Sequence, residues 1–356
     1  MKIVLITPTG PTSRTGNRVA ATRWARLLRQ LGHRVRVTST YDGRPADLLV
    51  AVHAWRSARS VVAFKSQYPE RPVILQLSGT DIYDYLKTDP KPTLQSMMLA
   101  DRLVALNDLA WRVVPRKLRA KLRVIHQSAE PLPGRRNPDR RAVVISVIGH
   151  LRDVKDPLRA AEAARLLPVE SRVHIEQVGR AYTPQWAARA AAEQAVNSRY
   201  RWRDDVPTVA VRRLLARSHA MVISSLSEGG ANVVSEAAVA GVPVLASRMD
   251  GNVGLLGANY PGYFPVGDTK ALARLLLRIE RDPSFARELA QALRKRAPLF
   301  QPSRELAAWR RLLADLAMII RPQQGRDGRD APDRPIRSEA SRGGSQSASR
   351  AAARPR

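Results

Sequence analysis

The chain has 356 residues, and 60 Lys and Arg against 31 Asp and Glu give it a formal net charge of +29 at pH 7. This length suffices for two medium-sized domains with full cores. The absence of cysteine excludes disulfides, thiolate metal ligands and a cysteine nucleophile. No apolar run approaches the ~20 residues of a membrane span, and the N-terminal apolar run is too short for a signal peptide, so we expect a cytoplasmic protein that does not enter a membrane.

The positive charge raises the question of nucleic-acid binding. Eight of the arginines follow Pro322, and the others are spread through every predicted helix without forming a stripe with aromatic partners. We therefore predict no specific nucleic-acid binding. Anionic substrates and weak, salt-sensitive binding of polyanions stay open.

The first predicted unit is a buried strand at residues 2–7, a loop, a helix at 19–31 and a strand at 34–38. The loop, Pro8 to Arg18, is rich in glycine and hydroxyl groups and opens a helix, so it could hold an anion. It lacks the glycine spacing of a dinucleotide fingerprint and the Gly-Lys-Ser of a P-loop. We take Gly16, Asn17 and Arg18 as candidate anion-binding residues; a plain strand-to-helix connection is the alternative.

Strands are next predicted at residues 47–52, 72–77 and 101–106, with a short helix beginning at 107–114. Ligands of doubly wound sheets lie at the carboxyl ends of strands. His53 follows one strand, and Ser78, Thr80 and Asp81 follow the next. These are candidate site residues, although a structural role for His53 stays open.

A turn-rich connector at residues 131–141 predicts a domain boundary. After it come a strand at 142–148, the segment Gly149-His150-Leu-Arg152-Asp-Val-Lys155, a strand at 171–178 ending at Gly179, and helices at 183–197 and 208–218. Cations in the loop after the first of these strands can stabilise negative charge that builds up on a leaving group.

The central unit is a short strand at residues 220–223, the loop Glu228-Gly229-Gly230-Ala231-Asn232, an alanine-rich helix, and a strand after Gly241 and Pro243. A small-residue loop at a helix start can hold a phosphate or diphosphate on free N–H groups. Glu228 and Glu236 bracket the loop, and we expect them to accept hydrogen bonds from hydroxyls. An ordinary strand-helix-strand crossover is the alternative.

A further loop at residues 247–257, the end of the sheet at 261–269, and helices at 270–280, 283–296 and 302–320 complete the predicted fold. We expect a first domain at 1–136, a second domain at 137–300, a C-terminal helix at 301–320 and a disordered Arg-rich tail at 321–356.

The Glu228 to Glu236 pattern, followed by Ala-Gly241-Val-Pro243, resembles the donor-nucleotide motif of retaining glycosyltransferases in the sucrose-synthase-like family. That resemblance implies the α/β GT-B fold, in which two Rossmann-like doubly wound domains face a cleft and the C-terminal helix at 301–320 crosses back to the first domain. It implies that the domain at 1–136 binds the acceptor and that the domain at 137–300 binds the nucleotide sugar. It also implies that Glu228 contacts the donor sugar, that the N–H groups of Gly229, Gly230, Ala231 and Asn232 hold the diphosphate, and that Glu236 binds the ribose. No metal or other cofactor is implied.

The family pattern is matched at Lys155, while His150 and Ser78 depart from it. Lys155 matches the family's diphosphate lysine, but His150 stands where arginine is usual, and Arg152 lies two residues on. Gly179 occupies a place where family members hold the base or diphosphate. Ser78 replaces a histidine that usually precedes Gly-Thr.

A narrower group fits better. Gly79-Thr-Asp, His126-Gln-Ser-Ala-Glu-Pro, Gly149 to Pro157, Glu228 to Glu236 and Asn252-Val-Gly-Leu-Leu-Gly together resemble the selenosugar synthases of selenoneine biosynthesis. The resemblance implies transfer of sugar from UDP-N-acetylglucosamine or UDP-glucose to selenophosphate. An anionic selenium needs no base, which accounts for Ser78. The implied catalytic residues are Glu228, Lys155, Arg152 and His53, and the implied acceptor residues are Gly16, Asn17, Arg18, Ser78, Thr80 and Asp81. A conventional glycosyltransferase acting on a hydroxyl and a non-catalytic polyanion-binding protein are the alternatives.

Overall fold

The computed structural model describes residues 1–13 and 15–324. The chain forms two six-stranded sheets in which every strand pair is parallel. Most of the predicted disordered tail, residues 325–356, lies outside the described part.

The first sheet has the strand order β2-β1-β3-β4-β5-β6. Its strands are β1 (Lys2–Ile6), β2 (Arg34–Thr38), β3 (Leu48–Val52), β4 (Val73–Gln76), β5 (Arg102–Ala105) and β6 (Leu122–Val124). The helices are α1 (Gly16–Gln30), α2 (Ala58–Gln67), α3 (Leu86–Thr88) and α4 (Pro90–Leu99), with a π-helix at Asp81–Tyr85 and 3-10 turns at Ala110–Arg112 and Arg116–Lys121.

The second sheet has the order β12-β11-β10-β7-β8-β9. Its strands are β7 (Val143–Ile148), β8 (Val173–Val178), β9 (Tyr200–Arg203), β10 (Ala220–Ile223), β11 (Val244–Ser247) and β12 (Tyr263–Phe264). The helices are α5 (Arg159–Arg165), α6 (Pro184–Val196), α7 (Thr208–Arg217), α8 (Asn232–Ala240), α9 (Asp250–Leu256), α10 (Thr269–Arg281) and α11 (Pro283–Arg296), with 3-10 turns at Asp153–Lys155 and Ala297–Phe300.

Both sheets are covered on two faces, and their central strands are therefore continuous apolar runs. All residues of β3, β4, β10 and β11 are buried. The C-terminal helix α12 (Pro302–Gln324) packs on the first domain, where the ring of Trp309 meets that of Trp24 edge-on with centroids 4.7 Å apart. Helix α12 thus completes the core of the first sheet.

Three local predictions are wrong. Residues 107–114 form a short 3-10 turn at Ala110–Arg112, the segment 250–256 is the helix α9 where a loop is expected, and α12 extends to Gln324 instead of ending at residue 320. Helices α2 and α4 are not indicated by the sequence pattern. Among the described helices, none is long and apolar enough to cross a membrane.

Candidate active site

A cleft of about 370 Å³ lies between the two sheets, at the carboxyl ends of their strands. In doubly wound folds this edge is where ligands bind. Most of the predicted site residues line it: Gly16, Asn17, His53, Ser78, Thr80, His150, Arg152, Lys155, Gly179, Glu228, Gly229, Gly230, Ala231, Asn232 and Glu236. Arg18 and Asp81 are not among the described residues that do.

The second-domain wall of the cleft contains the start of helix α8. The residue before it, Ala231, has an extended backbone and makes no side-chain cap, and the first turn has no acidic side chain. Backbone N–H groups at such a helix start lack intrahelical partners and favour an anion. The backbone at the start of α8 can therefore accept a phosphate on its N–H groups.

Glu228 and Lys155 form a direct ion pair, and the hydroxyl of Ser225 lies 3.3 Å from the same carboxylate oxygen. Both side chains are mostly buried. Because Lys155 neutralises Glu228, a carboxylate can lie beside an anion site without repelling its ligand. Lys155 comes from the 3-10 turn after β7, so two separate strand ends supply the pair.

The loops after β7 and β8 pack tightly against each other. A Cβ atom on Gly179 would lie 2.1 Å from the carbonyl oxygen of Gly149, so only glycine fits there. Trp202 donates from its indole nitrogen to the Gly179 carbonyl at 2.9 Å, which fixes this part of the cleft wall. Arg152 lies over the ring of Tyr182, 5.6 Å from its centroid.

Glu236 lies one turn into α8 and lines the same cleft. Burial raises the pKa of Glu236, while the positive charges of Arg23 and Arg212 act in the opposite direction. Among the described residues its carboxylate has no hydrogen-bond partner. A ligand hydroxyl could therefore donate to it.

Asp81 has a different role from the predicted one. Its side chain is fully buried, and it accepts hydrogen bonds from the backbone N–H groups of Ser78 (2.9 Å), Gly79 (2.7 Å) and Ala54 (2.8 Å). It thus shapes the loop after β4 from below. A carboxylate occupied in this way does not contact an acceptor.

His53 is also buried, and its backbone has the unusual φ of +74°. Its Nδ1 accepts from the N–H of Arg56 at 3.3 Å, so the neutral ring carries its proton on Nε2, which lies 3.0 Å from Oγ1 of Thr80. Burial lowers the pKa of His53, and the Asp81 carboxylate only partly offsets this. With both nitrogens engaged by protein groups, His53 holds Thr80 and is not poised as a general base in this structure, and its catalytic role stays a prediction.

The two domains touch directly at the loop that precedes α8, Glu228 to Asn232. A Cβ atom on Gly229 would lie 1.9 Å from the carbonyl oxygen of Ser78, and Asn107 donates to the Gly229 carbonyl at 2.7 Å. Asn107, two residues after the end of β5, was not among the predicted residues, although its place beyond a strand end was a usable signal. No cluster of three or more His, Asp or Glu side chains within residues 1–13 and 15–324 could hold a metal ion.

Comparisons with known proteins agree with this arrangement. Residues 132–298 match the family model of the glycosyl transferases group 1. HepE from Anabaena, solved in complex with UDP, is 16% identical and has a TM-score of 0.71 over 88% of this chain and 100% of its own. Its complex with UDP-glucose gives 0.70 at 16% identity, over 89% of this chain and 100% of HepE.

Sucrose-phosphate synthase from Thermosynechococcus elongatus is 15% identical, with a TM-score of 0.70 over 91% of this chain and 99% of its own. At such identities these likenesses establish the fold. The predicted α/β GT-B class is confirmed.

Proposed function

We propose that this chain, whose residues 132–298 match the family model of the glycosyl transferases group 1, transfers the sugar of a UDP-sugar to selenophosphate. The donor is UDP-N-acetylglucosamine or UDP-glucose, and the products are a selenosugar, UDP and phosphate. The HepE structures with UDP and UDP-glucose support the donor class. The motifs shared with selenosugar synthases support the acceptor.

On the donor side, the diphosphate lies at the start of α8, against the N–H groups of Gly229 to Asn232. Glu236 accepts hydrogen bonds from the ribose, and Glu228 contacts the sugar. Lys155 and Arg152 supply the positive charge that stabilises UDP as it leaves, so no metal ion or other cofactor is assigned a role.

The observation that carries the acceptor assignment is the chemistry of the first-domain wall. Among the described residues that line it, His53 is the one side chain that could act as a base, and both its ring nitrogens are engaged. Ser78 stands where a histidine is usual, and Arg56 supplies a cation. Such a wall suits an acceptor that is already an anion, because a hydroxyl would need a base to remove its proton.

The reaction balances without an oxidant or reductant. An electron pair on selenium forms the bond to the anomeric carbon while the bond from that carbon to the diphosphate oxygen breaks, and its electrons leave with UDP. Water then attacks phosphorus, the selenium–phosphorus bond breaks, and phosphate and the selenosugar are released.

Anaerobic incubation with each UDP-sugar, with and without selenophosphate, tests the proposal. We expect UDP and phosphate to form in equal amounts and only when selenophosphate is present. Equal UDP formation with and without selenophosphate would contradict the proposal and return the acceptor question to hydroxyl compounds.

A further inference from the structure

Arg23, a residue of the first-domain helix α1, reaches the donor loop of the second domain. Its Nη1 donates to Oδ1 of Asn232 at 3.1 Å, and its Nη2 donates to Oε1 of Gln127, which follows β6, at 2.7 Å. Its Nε lies 3.0 Å from a carboxylate oxygen of Glu305 on α12. One guanidinium therefore joins helix α1 of the first domain, the segment after β6, helix α12 and the start of α8.

The contact with Asn232 fixes which way its amide faces. A guanidinium has only donors, so it must meet the oxygen of the amide and not the nitrogen. The amide nitrogen is then directed elsewhere, and it lies 3.7 Å from where a Cβ atom of Gly16 would stand. Asn232 and Gly16 both line the cleft, and they are the first residues of α8 and α1.

Arg23 is itself held rigidly. Its side chain is 11% exposed, and that of Glu305 is fully buried. Glu305 also accepts from the indole N–H of Trp24 at 2.7 Å and from the backbone N–H of Ser128 at 2.8 Å. Nε, Nη1 and Nη2 each have a protein partner, and Arg23 is not among the described residues that line the cleft, so it acts on a ligand through Asn232.

The same cation influences the other donor residue of α8. Glu236 follows Asn232 by four residues and so lies on the same face of the helix. The charge of Arg23 lowers the pKa of Glu236 against the effect of burial. Arg23 thus favours the ionised carboxylate that accepts hydrogen bonds from a ribose.

We propose that Arg23 is a positioning residue of the donor site, which presents the Asn232 amide N–H to a diphosphate oxygen between the starts of α1 and α8. This inference rests on the proposed function, since it assumes a nucleoside diphosphate in the cleft. It makes donor affinity depend on a first-domain residue that touches no part of the donor.

Calorimetric titration of the full-length protein with UDP tests this, because it needs neither acceptor nor turnover. We expect Arg23→Gln to weaken UDP binding by about tenfold or more, as for loss of a charge-assisted hydrogen bond. Arg26→Gln is the matched control on the same helix. Arg26 pairs with Glu130 at 3.1 Å, and both side chains are more than half exposed, so its loss should leave UDP affinity within about twofold.

Asn232→Asp separates positioning from folding. The aspartate keeps a partner for Arg23 but replaces the amide donor by a carboxylate, so we expect a folded protein with UDP affinity at least as low as that of Arg23→Gln. The loss of affinity on acidification should also begin at a higher pH in Arg23→Gln than in wild type, which a purely structural role would not produce.

UDP affinity near wild type in Asn232→Asp would overturn the inference, as would an unchanged pH profile in Arg23→Gln. In both cases the proposed function would stand. A wild-type protein that binds no UDP would contradict the proposed function and this inference together.

Discussion

The Lys155–Glu228 ion pair joins two strand ends at the place where the sugar and diphosphate of the proposed donor meet. Removing Lys155 takes away positive charge from the leaving UDP and leaves Glu228 unpaired in a mostly buried position. Removing the charge of Glu228 has the converse effect on Lys155. Lys155 and Glu228 both line the cleft and lie outside the hydrophobic core.

We therefore expect Lys155→Ala and Glu228→Gln each to lower kcat/KM for the UDP-sugar by about 10²-fold, measured as UDP release. Lys65→Ala is a matched control, since Lys65 pairs with Asp101 at 3.1 Å and does not line the cleft. Turnover near wild type in both cleft variants would contradict the assignment of Lys155 and Glu228 to the donor site.

The carboxyl group of Glu236 predicts a pH dependence of donor binding. Burial raises its pKa, so on acidification the carboxylate takes up its proton at a higher pH than an ordinary glutamate, whose pKa is about 4.3. The protonated group is then a poorer acceptor for the hydroxyls of the ribose. UDP affinity should fall over that range in wild type and be uniformly weak in Glu236→Gln. Protonation of UDP itself affects the wild type and Glu236→Gln equally, so it does not alter the difference between their pH profiles. Parallel pH profiles for the two proteins would contradict the role.

Single residues were predictable where a motif carries them. The loop at Glu228, the Glu236 position and Lys155 all line the cleft as expected. Asp81 and His53 follow the right strands but are buried among backbone N–H groups and a threonine, contacts that strand order alone does not reveal. The role of Arg23 was not predictable from a motif, because its partners are distant in sequence, at residues 127, 232 and 305.

At the scale of elements, glycines mark where loops of the two domains meet. Gly229→Ala would place a methyl group 1.9 Å from the Ser78 carbonyl, which forces the loops apart. We expect a folded protein with kcat/KM reduced by about tenfold or more. Gly134→Ala is the control, because no atom lies within 4 Å of its Cβ position. Equal activity of the two variants would show that this approach is not needed.

The same contacts explain why helix α9 was predicted as a loop. Gly251 and Gly254 disfavour a helix in isolation. In the fold, a Cβ on Gly251 would lie 1.8 Å from the Glu228 carbonyl oxygen, and one on Gly254 would lie 2.4 Å from Oδ1 of Asn107. Tertiary packing therefore requires glycine inside this helix. The buried strands were predictable because both faces of each sheet are covered.

At the scale of the whole molecule, both sheets line the cleft, and after the second sheet the chain returns to the first domain through helix α12. Trp309 and Glu305 of α12 pack against Trp24 and Arg23 of α1. Helix α12 follows the second domain in the chain but supports the first-domain side of the cleft. The net charge of +29 favours anionic ligands at long range. Cations such as Arg56, Arg152 and Lys155 continue this preference into the cleft.

The most direct test of an anionic selenium acceptor is the mass of the product formed when selenophosphate competes with an excess of sugar and sugar-phosphate hydroxyls. The reaction contains one UDP-sugar and is kept anaerobic. We expect every glycosylated product to carry the isotope pattern of selenium. A selenium-free glycoside, formed at the same rate when selenophosphate is omitted, would contradict the account.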